Sequence, residues 1–200
     1  AKQLCIRLGD ADVSKFSDGE ISVEINENVR GKDVFIIQPT SEPTNSNLME
    51  LLFMADALRR ASAARITAVI PYFGYGRQDR KDQPRVPISS RVMVDIITTT
   101  GADRIISMDL HSTQIQGFAS IPFDHLYSRM VLMDTLRKLD FSPDNCTVLA
   151  PVVGSAAMGQ SYARSLGVHF ALIDKRRYAP NKAEVSHLIG DLEGKDVLII

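Results

Sequence analysis

Cysteine is scarce. Cys5 and Cys146 are the two in 200 residues, far apart and without metal-ligand spacing. That excludes a cysteine-built zinc site and a disulfide framework, and it makes reduced thiols in a cytoplasmic protein the default expectation. Net charge is almost absent, at −1. A bulk electrostatic pull toward nucleic acid or an anionic membrane is therefore not implied, and any anion binding must come from local basic clusters. No apolar run is long enough to span a bilayer, and no signal-peptide pattern is seen. Internal repeats and low-complexity segments are also missing. What remains is ordinary for a globular chain: 44% hydrophobic and 24% charged residues. The length allows one large domain or two modest ones.

Apolar runs alternate with helical patterns. Ile21 to Ile25 alternates apolar and polar, as a half-buried strand should. Asp33 to Gln38 is a continuous run that reads as a buried strand. Ser46 or Asn47 can cap a helix from Leu48 to about Ala64, whose Leu51, Leu52, Met54, Ala55 and Leu58 form an apolar face. Further strands are expected at Ile66 to Ile70, Arg104 to Met108, Thr147 to Ala150, His169 to Ile173 and Val197 to Ile200. Helices are expected at Ser89 to Thr100, closed by Gly101, at Tyr127 to Leu139, and at Ser155 to Leu166, closed by Gly167. Residues 1–8 resemble the end of a helix, and residues 181–189 have no clear assignment. This order predicts an α/β protein with parallel sheets covered on both faces. A boundary near Tyr127 would divide it into domains 1–126 and 127–200. A start in a helix tail and an end inside a strand suggest part of a longer chain.

Open α/β sheets bind ligands beyond the carboxyl ends of their strands, so the residues after each strand carry the chemistry. After Ile70 comes Pro71-Tyr72-Phe73-Gly74-Tyr75-Gly76-Arg77-Gln78-Asp79. Two glycines free the backbone, aromatics offer a stacking surface, and Arg77, Arg80, Lys81, Arg85 and Arg91 supply cations suited to phosphate. A loop this long is more often functional than idle, although a mixed-charge surface loop is the plain alternative. After Met108 comes Asp109-Leu110-His111. On an extended segment, residues two apart share a side, so Asp109 and His111 could address one ion, His111 could bind it while Asp109 orients a neighbour, or the two could simply bond to each other and hold the loop. A hard cation such as Mg²⁺ would need only one or two such ligands beside phosphate and water. After Ala150, the small residues Gly154 to Gly159 open a helix. They would either admit a ligand to backbone amides or allow tight helix–strand packing. After Ile173, Asp174-Lys175-Arg176-Arg177 reads as a basic turn, either solvated or holding a polyphosphate. Phe16-Ser17-Asp18-Gly19-Glu20 reads as a turn before a strand.

Taken together these stretches resemble the ribose-phosphate pyrophosphokinase family. The similarity rests on Phe16 to Glu20, Asn47 to Leu52, Ile70 to Asp79, Met108 to His111 with Gln114 to Phe118, and Asp174 to Arg177. It runs across essentially the whole chain. It implies two tandem type I phosphoribosyltransferase domains, the second incomplete here. It also implies a Mg²⁺-dependent transfer of the diphosphoryl group of ATP to the 1-hydroxyl of ribose 5-phosphate, giving phosphoribosyl diphosphate and AMP for nucleotide biosynthesis. Homo-oligomers, commonly hexamers, are implied, with no nucleic acid and no membrane as partner. By the same resemblance, Phe16, Asp18, Gly19 and Glu20 hold the adenine end of ATP and reach a neighbouring subunit. Arg77 and Gln78 contact ATP, and His111 ligates Mg²⁺. Lys175 and Arg177 are the mobile catalytic pair of a flexible loop, with Arg176 between them facing away.

Two departures from the family pattern stand out. Val152 occupies the place of an Asp that helps bind metal and the ribose hydroxyls, and valine cannot ligate a metal. The acidic loop that would cradle the sugar phosphate does not follow Ile200, so this chain alone is not expected to be a complete enzyme. Val152 keeps a second reading open, a non-catalytic regulatory paralogue that binds nucleotide and assembles with active subunits. A phosphoribosyltransferase on the same fold would have no use for the ATP-side motifs.

Overall fold

The computed structural model describes residues 2–179 and 182–200, with the backbone alone between 175 and 186. The chain divides into two compact units, Ala1–Tyr127 and Ser128–Ile200.

The first unit opens on a hairpin. Strand β1 (Ala11–Lys15) pairs antiparallel with β2 (Ile21–Ile25), with Val13 opposite Val23. The helix tail expected over residues 1–8 is reduced to a 3₁₀ turn at Lys2–Leu4. Ala11–Lys15 has weak strand character of its own, and its pairing with β2 decides its state, as tertiary context commonly does for strands.

The sheet that follows has the order β3-β4-β5-β6 and is parallel throughout. Its strands are β3 (Asp33–Ile37), β4 (Arg65–Ile70), β5 (Arg104–Met108) and β6 (Phe123–Leu126). All four carboxyl ends therefore share one edge, which assembles the loops after β3, β4 and β5. Strand β6 has only four residues, too few for alternation to show in the sequence.

Helix α1 (Thr44–Arg60) joins β3 to β4, and α2 (Ser89–Thr100) joins β4 to β5. Leu48, Leu51, Leu52, Ala55 and Leu58 recur at helical spacing and are buried. They pack in one core with Ile36, Ile66, Ala68, Ile70 and Ile105. Complete burial of Leu51 contributes about 1.5–3 kcal/mol before the opposing chain entropy. The helix starts at Thr44 behind Pro43 and ends at Arg60, a turn earlier than expected at each end. Asn47 is not its cap; its side-chain amide donates to the Ser41 carbonyl at 2.9 Å. Nor is β3 buried on both sides as expected. Val34 and Ile36 turn to the core, whereas Phe35 is 53% and Ile37 62% exposed. As an edge strand, β3 is covered by α1 on one face only among the described residues.

The second unit has the sheet order β10-β7-β8-β9. Strands β7 (Cys146–Ala150), β8 (His169–Ala179) and β10 (Asp196–Ile199) run parallel, and β9 (Lys182–Ile189) runs antiparallel to β8. Helices α3 (Arg129–Leu136) and α4 (Ala156–Leu166) contribute Met133, Tyr162 and Ala163 to a core around Val148. Gly167 ends α4 in the left-handed conformation, φ 72°. The basic run is not a turn. Lys175, Arg176 and Arg177 lie within β8, opposite Val185, Glu184 and Ala183 of β9. The next strand, β9, turns back directly after β8 and extends it past Ile173, which the polar composition of residues 174–177 does not reveal. No helix among the described residues is long and apolar enough to cross a membrane.

Gly159 resolves one of the open alternatives. A Cβ placed there would lie 3.0 Å from the Phe170 ring and 3.2 Å from the Ala150 Cβ, whereas one at Gly154 would meet open space. Gly159 thus serves close packing of α4 on β7 and β8. Gly159→Ala is expected to cost about 1–3 kcal/mol through overpacking. Gly154→Ala should change stability by less than about 0.5 kcal/mol. Urea unfolding of the two variants, compared at equal m-value, checks the contrast.

Candidate active site

The loop after β4 is built by clamps from its neighbours. Thr40, just beyond β3, is buried. Its N–H donates to the Tyr72 carbonyl at 2.9 Å, and its hydroxyl donates to the same oxygen at 3.0 Å. The hydroxyl also accepts the Gly74 N–H at 2.7 Å. One threonine thus holds both sides of the loop entry. A side chain at Gly74 has no room, since a Cβ there would lie 2.4 Å from the Thr40 carbonyl oxygen. Tyr75 takes a positive φ of 61°, and its hydroxyl bonds to Asn45 on α1. The start of α2 fixes the far end of the loop. Ser90 donates its N–H (3.2 Å) and hydroxyl (2.9 Å) to the Gln78 carbonyl, and the Ser89 hydroxyl donates to Gln78 Oε1. Gln114 then tethers Asp79, with its amide 2.8 Å from a carboxylate oxygen.

The loop after β5 turns more sharply than an extended segment. Asp109 adopts φ 44°, in the left-handed region that non-glycine residues rarely enter. The expectation of an extended stretch is corrected there, yet Asp109 and His111 still line the same cleft. Two bonds from β6 secure the turn: Asp109 N–H to the Leu126 carbonyl and Leu110 N–H to His125 Nε2, each 3.0 Å. Burial pushes the His125 imidazole below its ordinary value, while Asp109 pulls the other way. A Cβ on Gly76 would sit 3.6 Å from His111 Cβ, so the two loops meet.

Between them lies a cleft of about 680 Å³, lined by Thr44, residues 72–78 and residues 108–111. It joins aromatic side chains (Tyr72, Phe73, Tyr75), a cation at Arg77, an amide at Gln78, and the Asp109 and His111 side chains. Such a set suits a nucleotide polyphosphate: a planar base against aromatics, and phosphates against arginine. Among the described residues no group of three or more His, Cys, Asp or Glu could hold a metal ion. Asp109 and His111 would supply at most two ligands. That fits a hard cation which arrives with phosphate and keeps its water, as Mg²⁺ does.

The expected site residues divide. Arg77, Gln78 and His111 share the cleft. Phe16, Asp18, Gly19 and Glu20 do not enter it. They form the β1–β2 turn, with Gly19 at φ 92°, Phe16 N–H on the Glu20 carbonyl at 2.8 Å, and Glu20 N–H on Asp18 Oδ1 at 3.1 Å. Phe16 is left 58% exposed. Arg80, Lys81 and Arg85 do not line the cleft either, and Arg91 is paired with Asp95 at 2.9 Å. The side chains of Lys175 and Arg177 lie outside the described residues. Val152 follows β7 and presents an apolar, 39% exposed side chain. Thr40, Ser89, Ser90 and His125 were not expected. None sits in a recognisable local motif: Thr40 and His125 reach the loops from beyond β3 and from β6, and Ser89 and Ser90 from the start of α2. Gly74→Ala is expected to displace the loop entry, because the Cβ would meet backbone rather than a movable side chain. Nucleotide affinity should fall at least about 10-fold with the fold retained. Calorimetric titration with ATP, beside a thermal melt, measures both.

The N-terminal domain model of ribose phosphate pyrophosphokinase matches residues 1–101. A ribose-phosphate pyrophosphokinase of Chlorobaculum tepidum is 52% identical, covering 100% of this chain and 62% of its own length. One of Campylobacter jejuni is 51% identical, covering 100% and 64%. The crystal structure of phosphoribosylpyrophosphate synthetase from Mycobacterium smegmatis matches with a TM-score of 0.88 at 39% identity, over 99% of this chain and 64% of that one. The chain thus spans 62–64% of the length of these proteins. With half of its residues under the family's own domain model and its fold shared throughout, it belongs to the ribose-phosphate pyrophosphokinase family.

Proposed function

We propose that this chain carries the nucleotide-binding part of an enzyme that transfers the diphosphoryl group of ATP to the 1-hydroxyl of ribose 5-phosphate. The observation that carries the reading is the single cleft formed by Arg77, Gln78, Asp109 and His111 beyond β4 and β5. The names of its relatives, ribose-phosphate pyrophosphokinase and phosphoribosylpyrophosphate synthetase, support it. We further propose a cytoplasmic homo-oligomer, hexameric as the family resemblance implies, acting in nucleotide biosynthesis.

Reaction at the β-phosphorus forms a bond from the sugar oxygen and breaks the bond to the oxygen that leaves with AMP. Transfers of this kind depend chiefly on positioning and on stabilising charge. Arg77 would neutralise phosphate charge from one wall, with the Gln78 amide held by Ser89 to meet the nucleotide. Phe16, Asp18, Gly19 and Glu20 would hold the adenine of a nucleotide bound to a neighbouring subunit, in keeping with their exposure away from this chain's own cleft. His111, with Asp109 beside it, would hold Mg²⁺ on the phosphate oxygens. The bound ion would supply charge neutralisation and phosphate orientation. Lys175 and Arg177 are assigned to the charge that develops on the transferring phosphoryl oxygens and the leaving AMP.

Val152 favours the second reading, a non-catalytic nucleotide-binding subunit, because a hydrocarbon side chain supplies no ligand to metal or sugar. One assay separates the two. The whole protein, given Mg²⁺, ATP and ribose 5-phosphate, is expected to release AMP only when the sugar is present. Lys175→Ala should lower turnover about 100-fold or more while leaving ATP affinity nearly unchanged. ATP breakdown independent of sugar would contradict the transferase reading. Nucleotide binding with no AMP, restored by Val152→Asp, would establish the second.

A further inference from the structure

His125 is a part of this unit that lies outside the cleft and yet reaches its floor. It sits on β6 opposite Ser107 of β5, and its ring stacks on Tyr127 at 4.4 Å and 41°. Arg104 and Asp124 pair at 2.8 Å across the same two strands. Its Nε2 accepts the N–H of Leu110, the central residue of the turn that ends in His111.

The bond has a defined direction. An amide N–H can only donate, so Nε2 must offer a lone pair, and the neutral ring's proton must reside on Nδ1. That Nδ1 is buried and has no hydrogen-bond partner. A phenyl ring would fill the same space and stack on Tyr127 without burying an unmatched donor. The imidazole does one thing a phenyl cannot: it accepts from Leu110.

The turn needs such a partner. Asp109 at φ 44° occupies a conformation that is unfavourable for a residue with a Cβ, and such conformations persist only where neighbours over-determine them. Two consecutive N–H groups are fixed from β6, one by the Leu126 carbonyl and the next by His125. The Leu110 side chain packs against the core. The residues on either side of it, Asp109 and His111, are exposed and line the cleft. Releasing the Leu110 N–H would let the peptide rotate and carry both side chains with it.

We infer that His125 is a positioning residue: through Nε2 it holds the Asp109–Leu110–His111 turn in the conformation that presents Asp109 and His111 to a metal–nucleotide complex. The inference rests on the proposed nucleotide-binding reading of the cleft. Groups that orient ligand-bearing residues from outside a site commonly matter about 10-fold or more to binding.

The test uses the whole protein with three side chains at position 125. His125→Phe keeps the ring and removes the acceptor. His125→Gln places an oxygen acceptor at similar reach. Mn²⁺ binding is followed by electron paramagnetic resonance in the presence of ATP and without sugar, so that no turnover is involved. His125→Phe should weaken Mn²⁺ binding about 10-fold, and His125→Gln should stay within about threefold of the parent. Parent-like binding by the phenylalanine variant, or equal loss in both, would overturn the inference, since ring packing would then be the whole role. A ligand-free readout separates this from the functional reading. In the parent, nitrogen-15 spectra should show an unprotonated His125 Nε2 coupled through the hydrogen bond to the Leu110 amide. A proton on Nε2 would overturn the inference even if neither variant folds. Failure of the parent to bind Mn²⁺ with ATP, alongside an intact Leu110 coupling, would contradict the metal–nucleotide role and the function proposed for the cleft, and would leave His125 holding the turn for another purpose.

Discussion

Parallel pairing of β3, β4, β5 and β6 is the constraint from which the cleft follows. Parallel strands deliver their carboxyl ends to one edge, so three loops far apart in sequence become neighbours. The loops after β4 and β5 are then held largely by segments beside them rather than by their own residues. Thr40 just beyond β3 grips the loop after β4, and β6 grips the turn after β5 through Leu126 and His125. The sheet itself is held by a core in which Leu51, Ala68, Ile70 and Ile105 are fully or almost fully buried. The strained backbone at Tyr75 and Asp109 is stable because it stands on that edge.

This division of labour explains what could be read from the sequence. The residues that would meet a ligand announce themselves by composition: Tyr72 to Gln78 combines glycine, aromatic and cation, and Asp109-Leu110-His111 follows an apolar run. Both proved to line one cleft. Long elements with strong periodicity were equally legible, as at Leu48 to Leu58 and in the buried β4. The supports were not. Thr40 acts from just beyond β3, His125 from β6 and Ser89 from the start of the next helix, and nothing in their immediate sequence signals it. Short or weakly apolar strands were also hidden: β1 forms because β2 pairs with it, and β6 is four residues long.

The second unit shows the same limit in another form. A basic run after Phe170 to Ile173 looked like a turn, because local apolarity ends there. The strand nevertheless continues to Ala179, since β9 returns alongside it. At the start of α4 the small residues have distinct uses. Gly159 is required by the approach of the helix to Ala150 and Phe170, while Gly154 is unconstrained by packing. Val152 stands where the family resemblance implies an aspartate, and the fold offers no strain or packing that requires a valine at a 39% exposed position.

The central claim is that the loops after β4 and β5 form one nucleotide site. Amide chemical shifts of the isotope-labelled chain, followed while Mg²⁺ and ATP are added, test it most directly. The account predicts that shifts concentrate in residues 72–78 and 109–111 and saturate together, with the β1–β2 turn responding only if subunits associate. Shifts confined to either loop alone, or centred on residues 152–159, would contradict it.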